Sequence, residues 1–597
     1  MALTPAAIAG LTTGSIGFAI TLYKTSLDVY TVFATASSLG EDVQVLEAQF
    51  LIQETLFRRW GEGLGLSKGS IDDVDERLKE GDGEGSLFQA VILALSSVKK
   101  VLSNVEDLRK LYGVEVRDER TVGNQMLLEL QSMSLIENEL VRADYDRREE
   151  EAVKMQKRVG IMKKLKWIIK DKEKFEKLLE RLTKLNDGLY SLISPLEASI
   201  LAKAVAGELL KTVELKWLEV LKEAARATSN AKGVANLAGL RHRAIQIMNF
   251  PNKVPDMELP DRSKGLIMPS TRFYERRTLG TYQPKGDMSQ KQPVLVEWKA
   301  VDASVSGTSM KRFNDNLNQL AYFLNGGNRP EYLRSLPCIG VTKPITQSAE
   351  MIRYGLVYSL AERRLETKEL PMLSTMLESN ENEPDLGDKF CIAQILVQSV
   401  HELHLANWLH KAISSDNIII VLRQDKIGKA SHFSSNSVFL AGYESSRPGR
   451  LRDPTEPSGG TTRSAYTHPD YDPGQVKYRR WFDIYSLGVV LLEIGLWQRA
   501  AASIRPGRNP SAIRDLLVES CDELGPAMGR IYRDAVRACL TLDFGVDLDG
   551  ITAEVDESNA GNAEELMIME AKDDQMNSDL TTSFYWRVVQ PLRKLFA

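Results

Sequence analysis

Residues whose types could do chemistry are sparse in this 597-residue chain, and they gather in its second half. Lys299 stands in the apolar run PVLVEWKAVD (293–302). His410 and Asn417 bracket HKAISSDN, which opens onto Ile418, Ile419 and Ile420, and Asp483 sits near the start of FDIYSLGVVLLEIGLW (482–497). A lysine on a strand, a histidine and an amide on a loop and a carboxylate on a helix are the residue types here that could carry chemistry. Thiol and zinc chemistry find less support: the four cysteines (Cys338, Cys391, Cys521, Cys539) stand far apart with no C-x-x-C pair, which suits a reducing, intracellular setting and argues against a structural metal site.

The segment FDIYSLGVVLLEIGLW resembles the D-x-W/Y-S-x-G-x-x-L-x-E run that opens the long buried helix of the protein-kinase C-lobe, with Asp483, Ser486, Gly488 and Glu493 at the pattern positions. HKAISSDNIII is similar to the kinase catalytic loop, and Lys299 resembles the lysine of V-A-I-K. The resemblance implies that Asp483 accepts hydrogen bonds from the loop backbone and that His410 packs the loop. The same comparison exposes what is missing. Phosphoryl transfer needs a base, a magnesium carboxylate, a lysine paired with a helix glutamate and a glycine-rich cover. The base position is Ala412, whose methyl accepts no proton, a loss of about 10²- to 10⁴-fold. Ser414 replaces the neighbouring lysine. In VFLAGYESSR the metal carboxylate gives way to Gly442, with Glu444 displaced. Residues 271–292 hold no G-x-G-x-x-G, and KRFNDNLNQLAYFL offers no glutamate for Lys299. The pattern implies a pseudokinase without catalytic residues, cofactor or metal; ATP binding through Lys299 and Asn417 is disfavoured. An unorthodox kinase that recruits Glu444 is an alternative, and Lys299 reads equally as a surface lysine. The stretch 445–471 takes the activation-segment place, as a disordered loop or a phosphorylation switch.

These residues need elements to position them. PVLVEWKAVD and MIRYGLVYSL (351–360) read as strands, KFCIAQILVQSVHELHLANWLH (389–410) and FDIYSLGVVLLEIGLW as buried helices. Upstream, NFPNKVPDMELPDRSKG marks a linker after one more short helix. From 41 to 225 the period is helical: Val43, Leu46, Phe50, Phe57 and Trp60 share a face, as do Phe175, Leu178, Leu182, Leu185, Leu189 and Leu192, and Pro195 suits the first turn of a helix. Nothing there reads as a strand. The expected fold class is multidomain: an N-terminal all-α helical bundle (1–225), a linker (226–268) and an α+β two-lobed protein-kinase-like domain (269–597).

The first half carries its own signal. Residues 2–23 hold no charge before Lys24, and as a helix of roughly 33 Å they match a hydrocarbon core of about 30 Å. The lack of a basic start and the dilution by Gly, Thr and Ser weigh against a signal peptide. Four readings stand: a constitutive membrane helix, a buried bundle helix, a conditional inserter and, least, a leader. Ala6, Gly10 and Gly14 form small-x-x-x-small spacing, as do Ala9, Thr13 and Gly17, with Phe18 beside them. The run 154–184, with Lys163, Lys164, Lys166 and Lys170, reads as a basic amphipathic helix, either docking anionic lipid or a solvated face laced with Lys/Glu pairs.

The uncharged opening, TSLDVY (25–30) and LEAQFLIQETLFRRW (46–60) resemble the fungal HeLo domain, the prion-inhibition and propagation type. That resemblance implies a programmed cell-death or heterokaryon-incompatibility effector whose N-terminal segment inserts and permeabilises membranes on oligomerisation. It implies conditional binding of membrane lipids, a homo-oligomer on activation, a protein partner through the pseudokinase, and a cytoplasmic protein relocating to a membrane. A net charge of −5 gives no general affinity for nucleic acid. The alternative is a soluble signalling adaptor whose two halves only bind partners.

Overall fold

The structure is a computed structural model that describes residues 5–34, 37–38, 44–68, 71–79, 87–103, 105–116, 167–211, 214–259, 266–267, 276–283, 291–304, 307–325, 329–330, 332–342, 345–346, 351–360, 371–379, 383–420, 438–449, 464–472, 475–500, 509–546 and 563–596. The chain divides into two compact units, Met1–Ala238 and Gly239–Ala597.

The first unit is mainly helical: α1 (Pro5–Ala34), α2 (Gln44–Gly63), α3 (Leu87–Ser103), α4 (Lys172–Tyr190), α5 (Pro195–Leu209) and α6 (Leu215–Arg226). Local chemistry sets the starts. Asp171 caps α4 by accepting the Lys174 amide, and Ser194 with Glu197 makes a capping box on α5, whose first residue is the expected Pro195. The core is aromatic. Tyr23 stacks on Phe57 at 5.4 Å, Tyr30 lies 5.0 Å from Phe57, and Phe50 meets Phe175 of α4 at 6.0 Å between ring centroids. Trp60 is fully buried and its indole N–H donates to the Leu189 carbonyl at 3.0 Å.

Two expectations fail here. A small sheet pairs β1 (Ser37–Ser38) parallel and β2 (Val114–Val116) antiparallel with β3 (Trp167–Ile169), where no strand was expected. Consequently 154–184 is not one helix. Its bulky Trp-Ile-Ile triplet takes the strand, and α4 starts only after the Asp171 cap. Lys170 is exposed in the turn between them, its amide donating to Gly113 O at 2.9 Å. Lys163, Lys164 and Lys166 lie outside the described residues.

The helix expected before the Pro-rich stretch 249–265 is α7 (Lys232–Asn249), longer than expected at 18 residues, and the two units divide within it. The second unit opens with an antiparallel sheet of β4 (Leu266–Ile267), β5 (Arg277–Tyr282), β6 (Gln292–Asp302), β9 (Met351–Ser359) and β7 (Cys338–Val341), in that order, with β8 (Ile345–Thr346) also on β9. Both sequence-read strands are present as β6 and β9. Helix α8 (Gly307–Leu324) follows β6. The remainder is helical, with α9 (Leu386–Leu405), α10 (Arg480–Leu496), α11 (Pro510–Met528), α12 (Arg530–Thr541) and α13 (Ala563–Phe584), plus the antiparallel pairs of β10 (Trp408–Leu409) with β13 (Arg447–Pro448) and β11 (Ile418–Ile420) with β12 (Val438–Leu440). Helix α10 is apolar apart from Arg480, Asp483, Ser486 and Glu493 and is buried along nearly its whole length. Gly488 and Gly495 let Cys539 and Leu524 come close: a Cβ would stand 2.8 and 2.4 Å from their side-chain atoms.

Among the described residues no helix is long and apolar enough to cross a membrane.

Candidate functional site

The sequence-read residues Lys299, His410, Ala412, Asn417, Gly442 and Asp483 come together where the sheet meets the helical part of the second unit. Asp483, in the first turn of α10, is fully buried. Its carboxylate accepts the His410 and Lys411 amides, each at 2.8 Å, and the Tyr478 hydroxyl at 2.9 Å, with His404 Nε2 at 3.3 Å. Two successive amides reach one carboxylate because Lys411 takes φ 70°, a costly backbone for a side chain other than glycine. Burial alone would raise the Asp483 pKa, but the His404 bond and its neighbours hold it below the usual range. Burial pushes His410 down to about 4, so its ring is neutral and its Nδ1 accepts the Ala412 amide at 3.3 Å.

Ala412 contributes only backbone to the loop. Asn417 Nδ2 donates to the Ala412 carbonyl at 2.6 Å and the Asn417 carbonyl accepts from Ala441 at 2.8 Å. Gly442 has φ +80°, and a Cβ there would lie 2.4 Å from Asn417 Cγ. A carboxylate therefore has no room at 442 while Asn417 stays where it is. Lys299 Nζ donates to the Glu444 carbonyl at 3.0 Å and lies 5.1 Å from the Phe313 ring centroid of α8, so a ring stands where a paired helix glutamate was missing. The Glu444 carboxylate is paired with Arg276.

Two further residues complete the site, Arg277 and Glu297, cross-strand partners on β5 and β6. Arg277 Nε donates to Glu297 Oε1 at 2.7 Å, Nη1 to the Asp416 carbonyl at 2.8 Å and Nη2 to Asn417 Oδ1 at 2.7 Å. The Gly442 amide donates to the same Glu297 Oε1 at 2.9 Å. The signal was present: Glu297 is a lone acid two residues before Lys299, on the same strand face, and Arg277 belongs to an arginine doublet at the head of β5.

The activation-segment stretch is built in at both ends. Arg447–Pro448 forms β13, and Tyr466 donates to the Glu493 carboxylate at 2.8 Å while its carbonyl accepts from Ser486 at 2.7 Å. Residues 450–463 lie outside the described residues. Burial pushes Glu493 up to about 7. Among the described residues no cluster of His, Cys, Asp or Glu is placed to hold a metal.

At the other end, Gly17 and Phe18 are half-buried on α1, and a Cβ on Gly17 would meet open space. Ala6, Gly10 and Gly14 lie in α1, outside the residues whose side chains are described. The exposed face of α4 mixes Lys172, Lys177, Arg181 and Lys184 with Glu173, Glu176 and Glu180, the composition of a solvated face.

Residues 10–221 match the HeLo family, described as prion-inhibition and propagation. Residues 335–594 match a family described as a domain of unknown function, DUF7580. No curated protein matches the chain.

Proposed function

We propose that this protein is a cell-death or incompatibility effector whose HeLo bundle inserts conditionally in membranes and permeabilises them, held or triggered by a kinase-like domain that catalyses nothing. The HeLo match over 10–221, on a helical bundle that opens with the uncharged half of α1, carries this reading. The kinase-like part is supported by a sheet followed by helices and by Asp483 gathering the 410–411 amides. Absence of phosphotransfer is supported by Ala412, by the crowding at Gly442 and by Arg277 on the Asn417 amide. Pairing of Glu444 with Arg276 weighs against an unorthodox kinase. Activation would bring self-association and relocation from the cytoplasm, with a protein partner on the kinase-like domain.

The experiment is dye release from anionic liposomes by the full chain and by the bundle. Leakage that Gly10→Glu or Gly14→Glu abolishes is expected; intact liposomes with folded protein overturn the reading. A soluble adaptor remains the second reading, favoured by the mixed charge of α4 and by the burial of Tyr23 and Tyr30 in the core. It predicts no membrane association in the same assay.

A further inference from the structure

Arg277 is bound as a ligand would be. Its side chain is 9% exposed and Glu297 is 5% exposed, so the pair is almost wholly removed from water. The three guanidinium nitrogens meet three oxygens of different kinds: a carboxylate from β6, the Asp416 carbonyl and the Asn417 amide oxygen. A carboxylate, an amide oxygen and a backbone carbonyl are the donors that hard divalent cations take. The second carboxylate oxygen, Glu297 Oε2, is buried without a hydrogen-bond partner among the described residues. One cation thus joins the sheet to the loop that precedes β11, and it is part of the chain.

We propose that the cleft between sheet and loop is a cation site closed by its own resident cation, Arg277, and that it takes up a hard divalent cation only when that guanidinium is gone. Binding by displacement is excluded in the intact protein by effective concentration: Arg277 is tethered through strand register opposite Glu297, and an ion from solution must compete with an intramolecular group. Removing the guanidinium leaves a buried anion with three oxygens around a hole, which must be neutralised by protonation or by a new cation.

The test uses the full chain and magnesium chloride alone, with sodium chloride at equal ionic strength as the control. Wild-type melting is expected to be indifferent to magnesium at about 10 mM beyond the sodium control. Arg277→Met, which keeps bulk without charge, is expected to melt about 5 °C lower or more and to regain at least half of that loss with magnesium. The regain should vanish in Arg277→Met/Glu297→Gln, where the anion is gone. A folded Arg277→Met that ignores magnesium, or a wild type that responds as strongly, overturns the proposal. If Arg277→Met does not fold, the double variant decides: recovery of folding supports a buried charge left without its cation, and failure of both shows that Arg277 serves packing and sinks the idea.

Discussion

The ring of Tyr23 lies across Gly61, so closely that a Cβ on that glycine would stand 2.0 Å from Tyr23 Cε2. The Tyr23 hydroxyl completes the contact by donating to the Arg58 carbonyl at 2.9 Å. Helix α1 is keyed to α2 through a notch that only glycine provides.

Gly61→Ala should therefore destabilise the bundle, although alanine is the better helix former by about 1 kcal/mol. Hydrogen exchange should report faster opening of the amides of 16–34, with Tyr23→Phe, which loses one hydrogen bond worth about 1 kcal/mol, moving them less. If membrane activity requires α1 to leave the bundle, Gly61→Ala should leak liposomes at lower protein concentration than wild type. Unchanged exchange in Gly61→Ala would show that the notch does not hold α1.

On the proposed kinase-like reading, carboxylates placed at 412 and 442 should not yield phosphotransfer. Ala412→Asp is expected to fold and remain inert. Gly442→Asp must put a side chain at φ +80° and push aside Asn417, a change expected to cost about 2 kcal/mol or more. ATP turnover by the double variant, above the parent and lost with Lys299→Ala, would contradict this.

Glu493 makes one part of the stability curve run against the carboxylates around it. Its folded pKa of about 7 exceeds its ordinary 4.5, so between those values the folded state binds the extra proton and stability falls as pH rises. Glu493→Gln keeps an acceptor for Tyr466 without the charge. Its stability advantage over wild type should be absent below pH 4.5, grow up to pH 7 and stay level beyond, by at most about 3 kcal/mol. Denaturant titrations at a series of pH values would read it, and a pH-independent gap would show that Glu493 does not titrate there.

Asp483 should tolerate no isostere. In Asp483→Asn one side-chain position becomes a donor facing the His410, Lys411 or Tyr478 donors, and the loop loses about 2–4 kcal/mol. Its acid behaviour is opposite to that of Glu493: with the pKa held down, its contribution is present above its ordinary value of 3.8 and lost as pH falls through the lower folded value. Thermal melts of the variant against wild type at pH 7 measure the first claim.

Long apolar runs made the main elements legible. β6, β9 and α10 stand where their patterns put them, because a fully buried strand or helix shows its apolar run without help from neighbours, whereas α9 stops at Leu405 and the Trp408–Leu409 end of its run pairs as β10. His410, Ala412 and Asn417 could be read as one loop, and Asp483 as its partner on α10, because their types and spacing match a known pattern. Arg277 and Glu297 each stood out singly but not as a pair: 20 positions apart, they meet only through the β5–β6 register. The strands β1, β2 and β3, two or three residues each, are too short to display a period, and β3 interrupts a basic run that otherwise looked like one helix. Phe313, opposite Lys299, was not legible as its partner because an aromatic ring carries no charge to mark it.

Helix α7 bears on how the chain can be taken apart. A protease needs several residues of extended backbone, and the 18 residues from Lys232 to Asn249 offer none. The HeLo match stops at 221, but a piece released by limited digestion is expected to run on through Asn249, taking with it a helix that the match does not cover.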